Sequence, residues 1–92
     1  MFITSKTISS PCDFNSKFVR NFVGAIVAMK STPYIATIDR NINAKSILGL
    51  LSADIKKGDD IYIQCVDNYD EQQTKDDLDI ILGLLMDSIG DA

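Results

Sequence analysis

Apolar and polar positions along the 92-residue chain change period several times, and each change marks an element. Residues 2–8 (FITSKTI) mix β-branched and aromatic side chains and predict a strand, broken by Ser9, Ser10 and Pro11. Beyond them Phe18, Phe22, Ile26 and Met29 recur at helical spacing, with Val19 and Val23 beside them. Asn15 is suited to cap that helix. Phe14 before it is placed to pack on Val19, four positions inside, as a hydrophobic staple. Pro33 ends the region, because a residue before proline is biased to extended backbone.

The second half alternates more quickly. Residues 34–38 (YIATI) predict a strand, Asp39-Arg40-Asn41 a turn, and Ile42 a short return strand. Ser46 stands directly before Ile-Leu-Gly-Leu-Leu, where a serine caps a helix of about two turns. Gly49 weakens that helix by about 1 kcal/mol relative to alanine. Lys57-Gly58-Asp59 reads as a turn. Residues 61–66 form the clearest strand, with Ile61, Ile63 and Cys65 on one face and Tyr62, Gln64 and Val66 on the other. The last helix starts near Asp70, with Glu71 complementing the helix dipole. Leu78, Ile81, Leu82, Leu85 and Ile89 share one face, widened by Ile80 and Leu84, and Gly90 ends it.

The order is thus β-α-β-β-α-β-α in one domain, residues 1–92. Its helices are too few and too clustered to cover both faces of a sheet. The expected class is α+β: a four-stranded antiparallel sheet with three helices on one face. A hydrophobic share of 46% argues against disorder, and a chain this long supports one core.

Charge refines the picture. The net charge is −4, but the chain up to Lys57 carries +5 and the rest −9. Such a dipolar domain is a poor match for nucleic acid, which needs a basic stripe free of an acidic field. No apolar run approaches the roughly 18 residues that span a bilayer, and the first residues do not read as a signal peptide. Cys12 and Cys65 lack CxxC spacing and read as sparse thiols of a cytoplasmic protein, with one disulfide as the alternative. There is no histidine, no cysteine cluster and no calcium loop, so neither a metal nor another cofactor is expected. No nucleophile–base set or phosphate-cradling glycine loop stands out, and the pairs Asp59–Asp60 and Asp76–Asp77 read as ordinary solvated carboxylates. An enzyme is not expected.

The segment Asn43-Ala44-Lys45-Ser46-Ile47-Leu48-Gly49-Leu50-Leu51-Ser52, followed by Ile55-Lys56-Lys57-Gly58-Asp59, resembles the regulatory-serine segment of HPr, the small phosphocarrier of the bacterial phosphoenolpyruvate:sugar phosphotransferase system. The element order and length resemble that family over nearly the whole chain. The family carries a phosphoryl group on a histidine at the start of the first helix, in a motif like Gly-Ile-His-Ala-Arg-Pro-Ala. The matching stretch here is Asp13-Phe14-Asn15-Ser16-Lys17-Phe18-Val19. Asn15 stands at the histidine position, Lys17 at the arginine and Phe18 at the proline. An amide nitrogen shares its lone pair with the carbonyl and is no nucleophile, unlike neutral imidazole. The pattern resembles the histidine-lacking, catabolite-repression type of the family.

The resemblance implies a site for protein docking. Ser46 is the candidate modification site, since the family's corresponding serine is phosphorylated by an HPr kinase/phosphorylase. The product binds a LacI-type transcriptional regulator in carbon catabolite repression. Phosphate there would sit at a helix N-terminus and offer acceptor oxygens to a partner's arginines. Ile47, Leu48 and Leu51 would form an apolar centre, with Asn15, Lys17, Arg20 and Lys45 around it. Set against this, Ser46 reads equally as a plain cap, Ile47, Leu48 and Leu51 as core, and Lys17 and Arg20 as a solvated face. Cys12 is the nearest other nucleophile, but nothing in the family's pattern asks for one there. The competing functional reading is a constitutive adaptor or a homodimer that needs no modification.

Overall fold

The computed structural model describes the backbone of residues 1–90 and the side chains of residues 1–88. It contains β1 (Phe2–Ser9), α1 (Ser16–Ile26), β2 (Thr32–Ala36), β3 (Asn41–Asn43), α2 (Ile47–Ala53), β4 (Asp60–Asp67) and α3 (Glu71–Gly90), the order read from the sequence. The strands form one antiparallel sheet in the order β1-β4-β2-β3. The three helices lie on one face, with α3 against β4 and β1 and α1 in contact with both α2 and α3.

Period-two alternation decides which face is covered. Ile61, Ile63 and Cys65 of β4 are fully buried under the helices, as their spacing predicts, and Ile35 and Ile42 join them from β2 and β3. The helices contribute Val19, Phe22, Val23 and Ile26 from α1, Leu50 from α2, and Leu78, Ile81 and Leu85 from α3. The other face carries Ile3, Ser5 and Thr7 of β1, opposite Val66, Gln64 and Tyr62 of β4. Thr32, Tyr34 and Ala36 of β2 continue these rows, and Asn43 and Asn41 of β3 close two of them. No helix lies over that face, and its charged side chain among the paired strand residues is Asp60, which begins β4 opposite Ser9.

Several expectations need correction. The second strand is residues 32–36 rather than 34–38; Thr37 and Ile38 fall in the turn, and Ile38 is fully exposed. Pro33 therefore lies inside the strand. Its carbonyl accepts from Ala44 N–H (2.8 Å), so its ring nitrogen also faces the β3 side, beyond the three residues that β3 pairs, and no bond to β4 is lost. Helix α1 stops at Ile26, and Met29 follows in a turn closed by its N–H to the Ile26 carbonyl. Phe14 packs at a tilt against the Phe18 and Phe22 rings, with centroids 4.8 and 6.2 Å away, contacts that the staple reading did not include. Ile80 is half-exposed and does not widen the buried stripe of α3. Ile89 lies outside the residues whose side chains are described.

Asp77 is the largest departure. It is buried, not solvated. Its Oδ2 accepts from the Ser31 backbone N–H (3.0 Å) and hydroxyl (2.6 Å), and its Oδ1 from Gln73 Nε2 (2.8 Å). The carboxylate thus ties the loop entering β2 to α3. Thr74, one turn earlier, is buried and meets Thr4 of β1 at 2.7 Å. These two polar positions fix how α3 lies across the sheet, which an apolar stripe alone leaves free to slide.

Cys12 and Cys65 are both free thiols, so the alternative of a disulfide is not realised. Burial pushes the Cys65 thiol up from 9.0 to about 11; the Asp77 charge adds to the rise and a hydrogen bond from Ser31 opposes it.

Two outcomes are expected. Asp77→Ala strands the Ser31 N–H and hydroxyl without partners and should cost about 3 kcal/mol of unfolding free energy in urea titration. Between about pH 9 and pH 11 the unfolded chain loses the Cys65 proton while the folded chain keeps it. Ionisation therefore favours unfolding, and stability falls as pH rises through that window. The urea midpoint should drop more steeply there for the native chain than for Cys65→Ala; equal slopes would assign the drop to other groups.

Candidate functional site

The site residues are positioned by two helix starts and a pair of loops laced together. Asn15 has extended backbone (φ −81°, ψ 173°) and caps α1, its Oδ1 accepting from Phe18 N–H at 2.8 Å. The segment before it is pinned to the turn after α2. Ser10 N–H donates to the Asp59 carbonyl (2.7 Å) and Gly58 N–H to the Ser10 carbonyl (2.8 Å). Phe14 N–H donates to the Ile55 carbonyl and Lys57 N–H to Asp13 Oδ1, both at 2.8 Å. Gly58 makes that turn at φ +94°, open to glycine at no steric cost.

Asn15 and Lys17 share an open depression with Cys12, Asp13, Phe18 and Ser88. Asn15 and Lys17 are exposed, and Cys12 is half-buried. With its carbonyl oxygen held by the helix, Asn15 presents its amide NH2 outward: a neutral donor, with no base and no nucleophile. Arg20, one turn further along α1, is exposed and lines neither this depression nor the one beside Ser46.

Ser46 caps α2 in the same way, its Oγ accepting from Gly49 N–H at 3.1 Å. The serine is half-buried. Its own depression is lined by Arg40, Asn41, Ile42, Asn43, Gly49 and Ser52. Arg40 is the basic residue beside Ser46, its Nη1 held on Ser52 Oγ at 3.0 Å. Sequence reading named Lys17, Arg20 and Lys45 instead and missed Arg40. The available signal was the β2–β3 hairpin, whose turn brings the residue before β3 alongside α2. Lys45 is committed elsewhere: its Nζ donates to the Met29 carbonyl at 2.7 Å, just past the end of α1.

Of the four large apolar residues of α2, Leu50 is fully buried and Leu51 is partly buried against the core. Ile47 is 39% exposed and Leu48 80% exposed. The apolar patch beside Ser46 is therefore Ile47 and Leu48, with Leu51 at its inner margin. Gly49 is there because α2 approaches β3 closely. A Cβ on it would meet Ile42 Cγ2 at 2.9 Å and Ser46 Oγ at 3.1 Å. Asp54 ends the helix in left-handed backbone (φ 51°).

A small α+β domain with an antiparallel sheet in the order β1-β4-β2-β3, three helices on one face and capped starts to the first two helices is the architecture of a phosphocarrier. The family model PTS-HPr, "PTS HPr component phosphorylation site", matches residues 4–83, and the chain belongs to the HPr family. Members of that family carry phosphoryl groups and are not catalysts. No curated protein matches the chain at a significant level. Among solved structures, HPr-C-His from Thermoanaerobacter tengcongensis superposes with a TM-score of 0.77 at 17% identity, over 98% of this chain and 97% of its own. The phosphocarrier protein HPr from Bacillus anthracis gives 0.78 at 19% identity, over 90% and 96%. A histidine-containing phosphocarrier protein of Mycoplasma gives 0.77 at 20%, over 95% and 94%. At these identities the likeness is one of fold. The chain itself contains no histidine.

Gly49→Ala is expected to destabilise the domain despite alanine's helix propensity. Ile42 is buried and has nowhere to move, so overpacking outweighs a gain of about 1 kcal/mol. Urea unfolding should show a net loss of about 1 kcal/mol; a gain would mean that α2 lifts freely from β3.

Proposed function

We propose that this chain is a non-catalytic, HPr-like regulatory protein of carbon metabolism. It cannot carry phosphohistidine, and it acts by docking to other proteins under control of phosphorylation at Ser46. One observation carries the reading: in a member of a histidine phosphocarrier family, the residue at the start of α1 is Asn15, an amide already engaged in capping the helix. The relay chemistry has no nucleophile there, and the chain offers no other imidazole.

What remains for function is recognition. Ser46 stands beside exposed Ile47 and Leu48 and shares its depression with Arg40. A phosphoryl group of charge about −1.5 to −2 on Ser46 would change the sign of that corner and supply acceptors for a partner's arginines. The resemblance to HPr proteins names the partner classes: an HPr kinase/phosphorylase that modifies Ser46, and a LacI-type transcriptional regulator that reads it. With those partners the protein would act in the bacterial cytoplasm. Among the described residues no helix is long and apolar enough to cross a membrane.

A second reading has its own support. The Ser46 hydroxyl already caps α2 and is half-buried, so its presence is explained without modification. The domain is then a constitutive adaptor whose docking surface includes Ile47 and Leu48.

Incubation with ATP and an HPr kinase/phosphorylase separates the two. Intact mass should rise by one phosphate in the native chain and not in Ser46→Ala. No addition, or addition that persists in Ser46→Ala, rejects the switch and leaves the adaptor. With phosphoenolpyruvate and Enzyme I no phosphoryl uptake is expected, and a labelled chain would overturn the proposal as a whole.

A further inference from the structure

Arg40 is the cation of the docking corner, and neither helix cap uses it. It stands in the β2–β3 turn, is exposed, and is the one charged residue among those lining the depression at Ser46. Ser46, Gly49 and Ser52 follow one another at three-residue spacing from the cap into α2. A line of hydrogen bonds connects them to the turn. Gly49 N–H donates to Ser46 Oγ (3.1 Å), Ser52 Oγ donates to the Gly49 carbonyl (3.0 Å), and Arg40 Nη1 donates to Ser52 Oγ (3.0 Å). Among the described residues Arg40 has no carboxylate partner. Asp39, beside it in the turn, accepts from the Thr37 hydroxyl at 3.1 Å and does not line the depression. A full positive charge is thus parked on an exposed, neutral hydroxyl next to the candidate modification site.

We propose that Arg40 is the built-in counter-ion of a phosphate on Ser46, which deepens the switch reading above and rests on it. In that modification Ser46 Oγ attacks the γ-phosphorus of ATP and its proton passes to a base of the kinase. The bond from the γ-phosphorus to the bridging oxygen breaks, and ADP leaves. The product carries three terminal oxygens and a charge of about −1.5 to −2. The guanidinium leaves the Ser52 hydroxyl for these oxygens, because a charge-assisted, two-pronged contact outweighs a neutral one. The move costs the fold little, since Ser52 is exposed and water takes the vacated place.

Lys45, next to Ser46 in sequence, is the competing cation. Its Nζ is spent on the Met29 carbonyl at 2.7 Å, and drawing it away strands a carbonyl at the end of α1. Arg40 gives up nothing comparable. Its capture ties the β2–β3 turn to the start of α2. The corner that a partner meets is then a phosphate–guanidinium pair beside exposed Ile47 and Leu48, with a net charge of about −1 rather than a bare dianion.

Phosphoserine encoded directly at position 46 of the full chain tests this without a kinase, so a failure here is distinct from a failure of the mass measurement above. The readout is a phosphorus NMR titration of the phosphate's second ionisation, which ordinarily has a pKa of about 6. A cation in contact favours the dianion, so in the otherwise native chain the pKa should fall by about half a unit to one unit. Arg40→Gln should return it to about 6. Arg40→Lys, a point charge without the planar fork, should fall between the two. Lys45→Gln and Ser52→Ala should both keep the lowered value. An ordinary pKa in the native phosphoprotein, a lowered one that survives Arg40→Gln, or one restored by Lys45→Gln instead would each overturn the assignment.

Discussion

The hydrogen bonds between residues 10–14 and residues 55–59 hold the functional end of this domain together. They join the exit of β1 to the turn that follows α2, so the segment leading into α1 cannot move independently of α2. The start of α1 inherits its position from this lacing, and the start of α2 from its close approach to β3. Asn15 is presented at the first turn of α1 because Phe14, immediately before it, is tied by its backbone to Ile55 and by its ring to Phe18 and Phe22. Ser46 is presented at the first turn of α2 because Gly49 lets that helix sit directly on Ile42. A site built from two caps is preorganised at little cost, since the same bonds that satisfy the helix ends also aim the side chains.

The same caps define what the site can do. A capping amide or hydroxyl has one oxygen turned inward to a backbone N–H. At Asn15 this leaves an outward donor with no capacity for phosphoryl transfer. At Ser46 it leaves a hydroxyl that is an acceptor within the fold and the one candidate acceptor of a phosphoryl group that the family resemblance singles out. The chain keeps the frame of a phosphocarrier and lacks the atom that makes the frame a carrier. Under the proposed function the retained geometry serves recognition, with exposed Leu48 beside Ser46 as its apolar anchor.

The opposite face of the molecule obeys a different constraint. With all helices on one side, half of each strand's side chains have no partner in the monomer. Isolated domains commonly keep such a face soluble with charge. Here one carboxylate, Asp60, stands at the start of β4 while hydroxyls, amides and tyrosines fill the middle of the face, in contrast to the outer surface of α3, where Asp76 and Asp79 are exposed.

Much of this was legible in the chain itself. Alternation in Ile61–Val66 and helical spacing in residues 18–26 and 78–85 determined the elements, because one buried face imposes one period. Asn15 and Ser46 were readable as caps, since a short polar side chain ahead of an apolar run has few other uses. The missing imidazole needed no structure at all. Tertiary packing alone decided the rest. Pro33 lies within β2 because β3 is too short to need its N–H. Asp77 is buried because Ser31 and Gln73 converge on it from distant or helical positions. Lys45 is spent on the end of α1, and Arg40 takes the place beside Ser46. Local pattern reports whether a side chain suits water or a core; which polar groups meet is set by how separate elements are laid across one another, and no spacing along the chain encodes that.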